Sequence, residues 1–249
     1  MYRKSLLCSV FAGLLVFLPL PVSAVTVSWD FSGGLDTKNF TYTTNSNVSL
    51  SDTAGELQLT KPAEWYPQSG SPSVQGGFIT SKFYLNGNFD IQVDYKIKET
   101  PLAHGVQIQL ELYSPSYYSY LVRSNEDLSP AQNYHIWKTS IYGTTAAGNQ
   151  GTMRVVRTGS DVTFYYKESN DWTTIWKDSN CTGDIRFSLQ GQDNYNIDHT
   201  ADAFNVSFDN LQVKADKLVG YVPLPGGLLL LGTGLLGLGA VGLRQRTRS

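Results

Sequence analysis

The stretch Phe89-Asp90-Ile91-Gln92-Val93-Asp94-Tyr95-Lys96-Ile97 alternates apolar and polar residues without a break. Successive side chains of a strand point to opposite faces, so this stretch offers one face to a core and one to water. The same period returns in Val106-Gln107-Ile108-Gln109-Leu110-Glu111-Leu112-Tyr113. It returns again in Val162 to Lys167, Ile185 to Gln190 and Phe204 to Asp209. Turn-forming residues punctuate the pattern at Asn86-Gly87-Asn88, Thr158-Gly159-Ser160-Asp161 and Gly191-Gln192-Asp193-Asn194. No segment before Leu218 keeps a helical period of useful length. Many half-wet strands over residues 25–218 predict two antiparallel sheets packed face to face, an all-β jelly-roll β-sandwich.

Composition agrees with an ordered domain. The chain has 249 residues, of which 41% are hydrophobic and 12% aromatic, far from a disordered composition. Five of the 19 basic residues (Arg3, Lys4, Arg244, Arg246 and Arg248) lie at the ends. The middle therefore sets 14 basic against 21 acidic residues, a balance of −7. Nucleic-acid binding needs a basic footprint, and adhesion to anionic lipid needs the same sign, so both are disfavoured. Two cysteines, Cys8 and Cys181, exclude a disulfide scaffold and a cysteine-rich zinc site.

The ends carry their own signals. Arg3 and Lys4 precede the apolar run Leu6 to Leu20, and Pro21-Val22-Ser23-Ala24 closes it with small residues. Residues 1–24 thus read as a secretory signal peptide. Its removal leaves Cys181 alone, read as a small buried apolar residue. Residues 219–249 form a tail in three parts: Val222-Pro223-Leu224-Pro225, the uncharged run Gly226 to Leu243, and Arg244-Gln245-Arg246-Thr247-Arg248. The run is just long enough to span a bilayer as a helix, with the arginines on the cytoplasmic side.

This tripartite tail resembles the PEP-CTERM sorting signal of Gram-negative bacteria, with Leu224 where that motif usually has Glu. The resemblance implies processing by an exosortase, a membrane-embedded cysteine transpeptidase or protease. It implies transient residence in the inner membrane, export, and an envelope or extracellular destination. The middle resembles the concanavalin A-like lectin/glucanase fold, which includes laminin G-like domains. Trp29-Asp30-Phe31 would open that fold and Phe208-Asp209-Asn210-Leu211-Gln212-Val213 would close it, the two pairing as neighbours. Gly87-Asn88-Phe89 resembles its "G-x-F" strand entry. The hairpin Met153 to Tyr166, followed by Asp171-Trp172-Thr173-Thr174-Ile175, resembles its "DG-x-x-W" segment.

Glucanases of this fold carry E-x-D-x-E along one strand face. The strand with that spacing here reads Gln107-Ile108-Gln109-Leu110-Glu111, one acid and two amides. A retaining mechanism needs two carboxyls about 5 Å apart, and an amide neither attacks nor shuttles a proton at neutral pH. Asp90 and Asp94 flank Gln92 on another strand and read as a solvated face. Nucleophile-elbow and zincin motifs are absent, and His104 and His135 have no evident partner. Lyase chemistry, with a Tyr base and an Arg or Gln neutraliser, stays open because the stretch from Tyr113 to Arg123 holds both types.

Binding is the more economical reading. Gln107, Gln109, Glu111 and Tyr113 form one row of long polar side chains, and Arg186, Ser188 and Gln190 another. Tyr117, Tyr118, Tyr120, Trp65 and Tyr66 fall in turn-rich segments, where exposed rings could stack on sugars. Trp29, Trp137 and Trp176 suit core positions. No cofactor is required; the fold resemblance implies a structural Ca²⁺ with Asp30 and Asp209 as ligands and Asp193, Asp198 and Asp202 as further acids. The sequence thus points to a secreted, exosortase-sorted, non-catalytic glycan-binding or adhesive module of the bacterial envelope or extracellular matrix, with extracellular polysaccharide as its partner. A polysaccharide hydrolase or lyase and a ligand-free matrix protein are the alternatives.

Overall fold

The structure is a computed structural model that describes residues 24–44, 47–65, 76–99, 106–125, 132–136, 141–145, 148–193, 200–201 and 203–223. Among these residues the strands are β1 (Val25–Trp29), β2 (Phe40–Thr44), β3 (Ser49–Thr53), β4 (Glu56–Lys61), β5 (Glu64–Trp65), β6 (Gly76–Ser81), β7 (Tyr84–Glu99) and β8 (Val106–Ser114). They continue as β9 (Tyr117–Asn125), β10 (Gln132–Ile136), β11 (Ile141–Thr145), β12 (Gln150–Thr158), β13 (Asp161–Lys167), β14 (Thr173–Asp178), β15 (Arg186–Asp193), β16 (Thr200–Ala201) and β17 (Phe204–Val219).

Two large antiparallel sheets and a small two-stranded one, β16-β5, result among the described residues. One runs β14-β13-β12-β7-β17-β4-β3, with β1 added beside β17; the other runs β11-β10-β9-β8-β15-β6-β2. This is the all-β sandwich the alternation predicts. The terminal strands do pair: Val25 faces Ala215 and Trp29 faces Leu211. β17 is long enough to serve β4 with its first half and β1 with its second, while β7 runs along its other edge. The inward positions of both sheets, Ile91, Val93 and Phe208 in one and Ile108, Leu110 and Phe187 in the other, are buried in one cluster. Each such side chain contributes roughly 1.5–3 kcal/mol on leaving water. Trp29 joins that core and stacks on Phe83 at 5.9 Å. Trp176 is only partly buried and packs against it, and Trp137 lies outside the described residues. Cys181 is free and buried, as expected.

Two of the three expected turns are strand interior instead. Asn86-Gly87-Asn88 lies inside β7, where Gly87 adopts φ +77°. The register of β17 slips opposite it, between Ala215 and Lys217. This is a β-bulge, and glycine serves it because a left-handed residue without Cβ costs little. Asp216 Oδ2 accepts the Asn88 N–H at 2.8 Å there. Gly191-Gln192-Asp193 continues β15, with Gly191 directly opposite Gly77 of β6. Thr158-Gly159-Ser160-Asp161 is a turn, joining β12 to β13.

Among the described residues no helix is long and apolar enough to cross a membrane. The signal segment up to residue 23 and the tail from Leu224, including Pro225, Arg244, Arg246 and Arg248, lie outside the described residues.

Candidate functional site

The two polar rows meet. β8 and β15 are neighbours, and their register sets Gln107 against Gln192, Gln109 against Gln190, Glu111 against Ser188 and Tyr113 against Arg186. On the other side β9 sets Tyr120 against Glu111 and Tyr118 against Tyr113. The face turned away from the core therefore carries a continuous polar field at the centre of the smaller sheet.

The expectation that this row faces water is corrected at one end. Gln107 and Gln109 are only 8% and 4% exposed, so β8 is buried on both faces through Leu110. The amides satisfy one another. Gln107 Oε1 accepts from Gln109 Nε2 and from Gln192 Nε2, each at 2.9 Å. Gln190 Nε2 donates to Gln192 Oε1. Buried amides need such partners, since an unpaired one costs about 1–3 kcal/mol. Long side chains at consecutive cross-strand positions reach one another more readily than they reach solvent.

The other end is open. Glu111 and Tyr113 are half-buried, and Tyr118 is 51% exposed. The Tyr118 hydroxyl donates to Glu111 Oε1 at 3.5 Å, and its ring lies 5.4 Å from that of Tyr120. Burial holds the Glu111 carboxyl above its ordinary range, with the Tyr118 hydroxyl pulling the other way. Burial also raises the Tyr113 phenol, against the attraction of Arg186. The Arg186 guanidinium in turn sits over the Tyr84 ring at 4.2 Å.

The aromatic margin is sorted by strand parity. Tyr117, Tyr118 and Tyr120 belong to β9, not to a turn. Tyr117 is 4% exposed and belongs to the core cluster, so its expected binding role is corrected. Tyr120 is buried too, on the polar side beside Glu111, where it can support the rim but offers little free ring. Trp65 lies in β5, paired with Thr200 of β16 in a separate two-stranded sheet that does not include β8; its side chain and Tyr66 are outside the described residues.

Chemistry follows from this geometry. Of the positions facing outward on β2, β6, β8, β9 and β15, only Glu111 is an acid. Both glycosidase geometries need a second carboxyl, either 5–5.5 or 6.5–9.5 Å away by a general rule. Of the lyase residue types in the stretch from Tyr113 to Arg123, the arginine is not set beside Tyr113. Arg123 pairs with Ile108 and points between the sheets, fully buried. Its guanidinium donates to the carbonyls of Ser124 and Gly148 at 2.6 and 2.9 Å and lies over Tyr134. It thus faces away from Gln109 and Tyr113. Tyr95, buried on the larger sheet, has its phenol pushed up to about 12 by burial, against the opposing pull of its hydrogen bond with Tyr134 and of the Arg123 charge.

The acids of the larger sheet are engaged structurally. Asp90 takes a two-pronged contact from Arg154, Nε at 2.8 Å and Nη2 at 2.5 Å. Asp94 accepts from Thr152 Oγ1 at 2.6 Å and from Asn210 Nδ2 at 3.0 Å. Asp30 Oδ1 is capped by the Ser32 N–H and hydroxyl, at 3.1 and 2.9 Å. Asp209 is raised by burial and by the neighbouring charges of Asp94, Glu56 and Asp30. Among the described residues no three His, Cys, Asp or Glu side chains converge. Calcium takes six to eight oxygens, so Asp30 and Asp209 alone do not make a fitting cage. Asp193, Asp198 and Asp202 have side chains outside the described set.

No family model and no curated protein matches the chain. Solved structures share its fold. The catalytic domain of an endo-1,3-beta-glucanase (laminarinase) from Thermotoga petrophila superposes with a TM-score of 0.55 at 13% identity, covering 78% of this chain and 98% of that one. A structure from work on endo-acting O-glycanases that initiate mucin breakdown in the human gut microbiota gives 0.54 at 14% identity, over 75% and 97%. An immunostimulatory antigen and pseudo beta-1,3-glucanase of Mycobacterium tuberculosis gives 0.52 at 10% identity, over 76% and 98%. The chain therefore shares the two-sheet β-sandwich fold of these solved structures.

Proposed function

We propose that this protein is a non-catalytic glycan-binding module, exported and sorted to the envelope or extracellular matrix. The observation that carries the reading is the Gln107-Gln109-Glu111 row. The two positions that would need carboxylates hold amides hydrogen-bonded to each other, while Glu111, Tyr113 and Tyr118 stay accessible beside Arg186. Carboxylate, phenols and guanidinium supply both donors and acceptors for sugar hydroxyls. The Tyr118 ring can cover an apolar sugar face. The neighbours named for glucan and mucin-glycan chemistry support glycan as the ligand class, and one of them is named a pseudo beta-1,3-glucanase.

The sorting part of the reading rests on the tail sequence. An exosortase would process the tail after transient insertion in the inner membrane, and extracellular polysaccharide would be the lasting partner. Structural Ca²⁺ is not needed by this reading.

Affinity electrophoresis through gels containing laminarin or mucin O-glycans tests the binding face. Each hydrogen bond exchanged with water nets only about 0.5–1.5 kcal/mol, so retention should be weak. Tyr118→Ala should lose most of it with an unchanged melting temperature. Equal retention of wild type and variant in every retarding gel would move the ligand off this face.

A further inference from the structure

The chain leaves the sandwich at a fixed point. β17 ends at Val219, paired with Tyr84, and Gly220 turns the backbone with φ +85°. Tyr221 then packs edge-on against Trp29 and Phe83, with ring centroids 6.1 and 5.5 Å away. Val222 is held by both of its backbone groups. Its N–H donates to Asn39 Oδ1, and its carbonyl accepts from Asn39 Nδ2, each at 2.8 Å.

Asn39 is fully buried and fixed from behind. Its Nδ2 also donates to Asp36 Oδ2 at 2.8 Å. Asp36 Oδ2 accepts from Trp29 Nε1 at 3.0 Å, and Asp36 Oδ1 accepts the backbone N–H groups of Lys38 and Asn39. The Asn39 amide thus offers the tail one acceptor and one donor, as a neighbouring strand would. A carboxylate of the same shape has no hydrogen for the Val222 carbonyl or for Asp36. The clamped residue is the first of Val222-Pro223-Leu224-Pro225.

We propose that Asn39 sets where the C-terminal tail is cut, withholding every bond up to Val222 and leaving the first cleavable bond beyond it. A peptide presented as an added strand engages its partner through backbone N–H and C=O groups, and those of Val222 are taken. In a hydrolytic cut, water adds across a peptide C–N bond. The retained chain keeps a new carboxylate and the released tail a new amine. The proposal rests on the reading that the tail is removed, although the clamp itself does not.

Limited proteolysis separates the two. The full-length chain in mild detergent is treated with proteinase K, and the C-terminal boundary is read by intact mass. The wild-type boundary should lie at Val222 or beyond. Asn39→Asp should let it retreat to the neighbourhood of Val219 and Gly220, with near-ultraviolet circular dichroism reporting that the sandwich persists. A Gly-Ser-Gly-Ser insertion between Val222 and Pro223 keeps the clamp but moves the proline away, and keeps the test decisive if the Asn39 variant does not fold. Its boundary should stay at Val222 or within the insert. Retreat upstream in the insertion variant, or the same boundary in wild type and Asn39→Asp, overturns the proposal. Retention of the whole tail in an exosortase-bearing host, beside the expected proteolysis, overturns the sorting reading and leaves the clamp standing.

Discussion

Tyr117 and Tyr118 are adjacent and do opposite things. Parity on β9 sends Tyr117 into the core and Tyr118 toward the polar face. Tyr117→Ala should therefore cost about 3–5 kcal/mol, the usual loss for a deleted buried aromatic. Thermal unfolding would read this as a fall of roughly 10 °C. A shift below about 2 °C would return Tyr117 to the surface. The pair was illegible in sequence because Ser114-Pro115-Ser116 signals a turn just before it, and the turn absorbed the first residues of the strand. Glu111 is legible as an acid but not in its environment. Burial raises its carboxyl, so the folded chain keeps a proton that the unfolded chain has released. The folded state binds more protons in that window, and stability falls as pH rises through it. Glu111→Gln is neutral throughout. Its melting temperature should exceed that of wild type at pH 7 and match it at pH 3; a lower value at pH 7 would mean that the charged form makes contacts worth more than its burial costs.

At the scale of the element, alternation alone placed β7, β8, β13, β15 and β17 and assigned their inward faces correctly. What it missed were glycines. Gly87 and Gly191 read as turn residues, because a sequence shows only that glycine permits a turn, not that it makes room. Gly191 makes room for the opposite sheet. A Cβ there would stand 2.6 Å from Val206 Cγ2 and 2.9 Å from Leu59 Cδ1, and one on Gly77 would stand 2.4 Å from Leu59 Cδ2. The facing pair Gly77 and Gly191 is thus the seat of Leu59 across the sandwich. Gly191→Ala should destabilise by about 1–3 kcal/mol through overpacking, measurable by urea unfolding. No change in the midpoint would show that β4 can back away from β15. The wetness of β8 was misread for a related reason: a period of two tells which residues share a face, while their exposure depends on the neighbouring strands. Here β15 supplies glutamines long enough to close the amide row.

At the scale of the molecule, the described residues form a β-sandwich with the fold of the glucanase structures, and its central outward row holds Gln107, Gln109 and Glu111. Fold was legible because strand periodicity is a local fact of the sequence, while the pairing of the first and last strands, a long-range contact, was expected only from the fold resemblance. The site was half legible: the row and its amides could be read, but not the split into a closed amide end and an open Glu111–Tyr113–Tyr118 end, which arises from contacts between distant strands. Among the described residues no second carboxyl shares the outward face with Glu111, and the non-catalytic proposal built on this has one direct readout. Reducing ends should be counted after prolonged incubation of the full-length protein with whichever of laminarin or mucin O-glycans retards it more, beside Glu111→Gln. The account predicts no release above the buffer blank for either protein. Release by wild type that disappears in Glu111→Gln would contradict it and make the chain a hydrolase.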